Sequence, residues 1–209
     1  MTNNTLDYLN FQNNVITLFY SLTVSILCIA GLYYESISYM PYITFLSILF
    51  LVFTTLQYFH TIDNIFIIHH LSTMYLILYV YFSNDSSLIL LSYIFYLSHI
   101  TGVFSSIKYI CKSNVLQYKE LQCYQSIQFI NNFSNNKQIQ IINENLFIIS
   151  FAVVRVFLFA PYSYIYVHKN FGKINFLFVI CILILNILQI YWFSRIVEKT
   201  YNKILNEQS

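Results

Sequence analysis

The sequence predicts an all-α integral membrane protein whose six helical spans form a bundle around a central cavity, and three observations carry that reading. Apolar residues make up 58% of the chain and charged residues only 9%, against about 25% charged in a soluble domain. The apolar residues fall in uninterrupted stretches of about 20, long enough to cross a bilayer as helices, whereas outer-membrane strands alternate polar and apolar residues over about 10. The few polar residues inside those stretches gather on one face and at one depth, as a polar-lined interior requires.

The spans are read at 14–34, 40–59, 65–82, 86–108, 145–168 and 174–196. The first sets Thr17, Ser21, Ser25 and Cys28 at helical spacing, so one face is fit to pack against other helices. No Lys or Arg precedes it; a signal peptide needs a basic leading region, so this span is expected to stay in the membrane. The second leads into a very short polar turn at Asp63. The third opens on adjacent histidines, His69 and His70, then continues apolar. Histidine is costly in lipid, so a pair just inside a membrane helix marks a functional site. The alternative for the pair is an interfacial position, bonded to headgroups or backbone carbonyls.

The fourth span places Ser98, Thr101, Ser105 and Lys108 on one stripe and His99, Gly102 and Ser106 on the next. The 109–144 loop is rich in Asn and Gln, with a short amphipathic piece around Val115 to Phe133 suited to the membrane surface. The fifth span carries Arg155. A central Arg costs about 2.5–3.5 kcal/mol on the insertion scale, while the roughly 13 Leu, Ile, Val and Phe of Leu146 to Val167 return about 0.3–0.6 kcal/mol each. The span still inserts, but Arg155 must face the interior. No acidic residue lies deep in any span, so its partner is a carbonyl group or something bound. The sixth span holds Asn186, Gln189 and Trp192.

Lysine placement orients the chain. Lys108, Lys112, Lys119, Lys137, Arg195, Lys199 and Lys203 lie on or beside one side of a six-span membrane protein, and Lys169 and Lys173 on the other. Positive charge stays cytoplasmic, so both termini are expected in the cytosol. That divides the chain into a cytosolic N-terminal tail at 1–13, a transmembrane domain at 14–197 containing the cytosolic 109–144 loop, and a cytosolic C-terminal tail at 198–209. Because the turn near Asp63 is so short, a four- or five-span chain is the alternative. In this orientation His69, His70, His99, Arg155, Asn186 and Gln189 all lie about five to ten residues from the cytosolic ends of their spans, the shared depth that one polar cavity needs.

The remaining features exclude more than they suggest. A net charge of +2 without a basic cluster argues against nucleic acid as a partner. Cys28, Cys111, Cys123 and Cys181 are far apart and form no CxxC, so they read as small buried hydrophobes or free thiols rather than metal ligands. No cofactor is called for. His60 and His168 stand at span ends and read as interfacial, and aromatic belts with helix packing account for the twenty Tyr and twenty Phe.

Asp63 upstream of His69-His70-Leu71-Ser72-Thr73, Arg155 followed by Pro161, and Leu185-Asn186-Ile187-Leu188-Gln189-Ile190-Tyr191-Trp192 together resemble the TLC-domain family of membrane proteins, which includes the ceramide synthases. The likeness runs from about Ser21 to Val197. It implies a six-helix bundle of TLC type around an acyl-chain cavity, with membrane lipids, and acyl-CoA or another acyl lipid, as partners. It also implies a place in the endoplasmic reticulum. By the same analogy His69 is acyl acceptor or general base and His70 its helper, while His99, Arg155, Gln189 and Asp63 bind substrate. The chemistry suits imidazole, which takes protons near neutral pH and attacks thioesters. This chain departs from the ceramide synthases where they carry two aspartates, since it has Ser98-His99-Ile100-Thr101-Gly102. It also has Gln189 in place of His or Asn, and no histidine from Ser21 to Cys28.

Three functions are therefore open. One is acyl transfer by His69 and His70 to a lipid acceptor. Another is a non-catalytic protein that binds, senses or moves lipid, or assists cargo or assembly, with the cavity kept. The third is a haem or iron protein using His69, His70 and His99.

Overall fold

The structure, a computed structural model, describes residues 3–34, 37–58, 64–83, 87–112 and 136–208. Among the described residues every regular element is helical. The α-helices are α1 (Asn3–Tyr33), α2 (Met40–Tyr58), α3 (Asn64–Ser83), α4 (Ser87–Leu97), α5 (Ile100–Lys112), α6 (Lys137–Ser150), α7 (Ala160–Lys169) and α8 (Phe176–Gln208), and a π-helical stretch, Phe151–Phe159, joins α6 to α7. Because α4 and α5 make one interrupted span and α6, the π stretch and α7 make another, these elements amount to six helices. Five are long and apolar enough to cross a membrane, and α2 adds a shorter apolar helix, Met40–Leu56.

The helices overrun the expected spans. α1 starts at Asn3, α8 continues to Gln208, and α5 and α6 narrow the expected 109–144 loop from both ends. Local capping explains part of this. Asn136 accepts the amides of Gln138 and Ile139 at its side-chain oxygen, at 3.0 and 3.4 Å, and so starts α6 well before the apolar run. Asn175 caps α8, which starts at Phe176, by accepting Leu177 N at 2.9 Å, after a turn in which Gly172 holds a φ of 86° that other residues rarely adopt.

Burial runs opposite to that of a soluble protein. Phe19, Phe45, Leu71, Phe157 and Ile187 are exposed, while Ser21, Ser47, Ser98, Thr101, Ser106, Ser163 and Gln189 are buried. In water such a surface would aggregate; in lipid it is the surface that fits, and small hydroxylated residues let helices approach closely. This is an integral, multi-pass membrane protein. Cys28 and Cys181 are buried and unbridged.

The chain forms two compact units, residues 1–23 with 99–150, and residues 24–98 with 151–209. In the first, α5 packs on α6, where Lys108 pairs with Glu144 at 3.1 Å and Asn143 Nδ2 donates to the Phe104 carbonyl at 2.9 Å. Gly102 faces α1 so closely that a Cβ there would stand 2.5 Å from Ser21 Oγ. In the second unit, α3 packs on α8 and α2, and the π stretch packs on α4 and α8.

Candidate functional site

Two irregular stretches of helix build the centre of the second unit. Pro161, in the first turn of α7, has no amide hydrogen and leaves the Phe157 carbonyl without its i+4 donor. The ladder ahead of it widens to the i→i+5 pattern over Phe151–Phe159, a form rarely longer than one turn. Arg155 lies in the middle of this stretch. Its Nη1 donates to Gln189 Oε1 on α8 at 3.1 Å and its Nη2 to the Ser98 carbonyl at 3.2 Å. The guanidinium also lies 5.0 Å from the centre of the Phe151 ring.

The second irregularity explains why Ser98 can accept. The expected fourth span is broken between α4 and α5: Ser98 N bonds Phe95 O at 3.1 Å and Gly102 N bonds His99 O at 2.8 Å, both in the tighter i→i+3 pattern. In an unbroken α-helix the Gly102 amide would reach back to the Ser98 carbonyl. A guanidinium therefore stands where the helix withholds its own donor, and a carbonyl within the membrane needs such a partner.

The adjacent histidines go separate ways, as two positions about 100° apart on a helix must. His70 Nδ1 lies 3.0 Å from Thr55 Oγ1 on α2. The His69 ring meets the indole of Trp192 edge-on, with centroids 5.0 Å apart, and Trp192 stacks on Phe66 at 5.7 Å. Trp192 and Gln189 are one turn apart on the same face of α8. The histidine pair and the Arg155 cluster thus lie within about a turn of each other along α8. One to two turns away, the same elements line an apolar cleft with Leu76, Ile77, Phe95, Phe159, Phe178 and Ile182 in its wall. Its free volume is about 20 Å³, room for about one water, and the cleft opens to the surroundings.

Of the residues singled out in the sequence, Arg155 and Gln189 are directly bonded, and His69 and His70 flank them. His99 belongs to the first unit, where Tyr20 Oη lies 3.1 Å from its Nε2 and the two rings meet edge-on. Asp63 lies outside the described residues. Thr55 and the Ser98 carbonyl were not anticipated. Gly102 was the one available hint for Ser98, since glycine weakens a helix interior, and nothing local marks Thr55 as the partner of a histidine on another helix. Among the described residues no three His, Cys, Asp or Glu side chains gather into a group suited to a metal ion.

Neither a curated protein nor a solved structure matches the chain. The family model for the TLC domain matches residues 10–198, nearly the whole of it and every helix of the site. The chain belongs to the TLC-domain family.

Proposed function

We propose that the protein holds one lipid acyl chain in its second unit, with the tail laid along the apolar cleft, whose walls part to admit it, and the polar end at His69, His70, Arg155 and Gln189. One observation carries this. Four elements change from polar to apolar in step: α3 from His70 to Ile77, α4 from Ser98 to Phe95, the π stretch from Arg155 to Phe159, and α8 from Gln189 to Ile182. Each change spans roughly 5–10 Å of helix, the profile of an amphiphile's head and first methylenes. Arg155 would meet a carboxylate, phosphate or ester oxygen with its planar fork. Family membership supports a lipid as the partner.

Mass spectrometry of lipid co-purified with the full chain tests the reading. Wild type is expected to carry about one acyl lipid per chain, and Ile182→Trp, which fills the cleft, to lose most of it. Equal occupancy in the two proteins would overturn it.

A second reading, acyl transfer from acyl-CoA or another acyl lipid, is favoured by the contact of Thr55 with His70. In the tautomer whose Nδ1–H donates to Thr55 Oγ1, Nε2 is the bare nitrogen that can take a proton from an acceptor amine or hydroxyl. Purified protein would receive acyl-CoA with a sphingoid base, and separately with a lysophospholipid. On this reading His70→Ala lowers turnover by about 10²-fold or more, and Thr55→Val lowers kcat with little change in KM. Product formation that survives His69→Ala with His70→Ala would exclude it.

A further inference from the structure

Between the polar layer and the apolar cleft lies a rung that neither reading uses. Thr73 stands one turn beyond His69 and His70 on α3 and one turn before Leu76 and Ile77, so it shares the face that lines the cleft. Asn186 stands on α8 between Gln189 and Ile182 in the same way. The contacts of His69 with Trp192 and of Tyr79 with Phe178 fix α3 and α8 as antiparallel neighbours, and interpolating between them puts Thr73 level with Asn186.

Both side chains have an oxygen that is fully buried and has no hydrogen-bond partner among the described residues: Thr73 Oγ1 and Asn186 Oδ1. Thr73 itself is 3% exposed. Its hydroxyl departs from the usual habit of threonine in these helices. Thr23, Thr54 and Thr200 all donate to the carbonyl four residues earlier, whereas the Thr73 hydroxyl does not.

The direction of the Asn186 amide is set by its neighbours. Ser163 donates its hydroxyl to the Ala160 carbonyl at 2.8 Å, so it must accept from Asn186 Nδ2, which is 2.9 Å away. That leaves Oδ1 as a pure acceptor. A buried acceptor level with a buried hydroxyl on the neighbouring helix, one that can both donate and accept, is a site for an O–H group, and leaving either unpaired is costly.

We infer that Thr73 and Asn186 form a hydroxyl-binding rung, occupied by a hydroxyl on the bound lipid chain or by a single ordered water. The lipid arm rests on the acyl-chain reading above. It makes the protein selective for chains with a hydroxyl about one helical turn, roughly 5–6 Å, beyond the polar end.

The test uses the full chain in nanodiscs, with stearate and a series of stearates bearing a single hydroxyl at successive chain positions. Wild type is expected to bind one member of the series about tenfold more tightly than stearate. Thr73→Val and Asn186→Leu are expected to abolish that preference while leaving the affinity for stearate within about twofold, and Thr73→Ser to keep it. If no member of the series binds more tightly than stearate, high-resolution cryo-electron microscopy decides the source: a water between the two side chains, lost in Thr73→Val, identifies water as the donor. Equal binding without that water, or a preference that survives both substitutions together, overturns the rung alone. Failure to bind any of these acids overturns the acyl-chain reading and the lipid arm with it.

Discussion

Removing both Arg155 and Gln189 should cost less than the two single changes predict. Arg155→Leu deletes two hydrogen bonds to a charged donor, worth about 1.5–3 kcal/mol each, and strands a Gln189 side chain that is only 3% exposed. Against this, an Arg within a span costs about 2.5–3.5 kcal/mol on the insertion scale, so the single change is expected to destabilise by about 0–3 kcal/mol. Gln189→Leu takes one acceptor from the guanidinium and should cost about 1.5–3 kcal/mol. In the double variant neither partner is left facing an empty place, and the bond between them is counted once. The double variant should therefore be about 1.5–3 kcal/mol more stable than the sum of the singles, a melting difference of about 5 °C for a chain of this size. Trp192, the only tryptophan, lies one turn from Gln189 and reports unfolding by fluorescence in detergent or nanodiscs. If the two changes add within about 0.5 kcal/mol, the cluster is not the coupled unit described.

Three further outcomes follow from other parts of the molecule. Gly102→Ala brings a Cβ to 2.5 Å from Ser21 Oγ and should destabilise by about 1–3 kcal/mol; Ser21→Ala in the same chain should restore most of this, and no recovery in thermal unfolding would count against close α1 to α5 packing. Asn136→Ala removes the cap of α6 and should cost about 1 kcal/mol, seen as faster hydrogen exchange confined to the first turn of that helix. Cysteines introduced at Ser134 and at Gly172 are expected to label from opposite sides of the membrane; labelling of both from one side would refute the six-span topology.

The sequence made the spans legible because run length and composition suffice to define them, and lipid leaves few alternatives to a helix. It also showed that Arg155 needs either a carbonyl group or something bound, since no carboxylate lies deep in any span, and the Ser98 carbonyl and the Gln189 amide oxygen receive its donors. The irregularities were harder to read. No proline or glycine stands at Ser98 or His99 to announce a break, and Pro161, inside the expected 145–168 span, signals a kink but not the length of the π stretch ahead of it. The length of α6 was hidden because Asn136 sits among several asparagines, where a capping residue looks the same as composition. Thr55 and Trp192 act through tertiary contacts, which periodicity along one helix does not encode.

The π stretch also changes how substitutions along its span should be interpreted. Each residue in it turns by less than the 100° of an α-helix, so Phe151–Phe159 behaves like an insertion of about one residue, a lag of at least about 100°. An ordinary helical wheel sets Arg155 and Ser163 about 80° apart. With the lag they come nearer one side, and both reach α8, at Gln189 and Asn186. Sequence length in this stretch is therefore itself a determinant of the site. Restoring a regular α-helix with every residue kept would swing Ser163 away from Asn186, whereas deleting one residue from the stretch would absorb the lag and leave Ser163 on the face it has now.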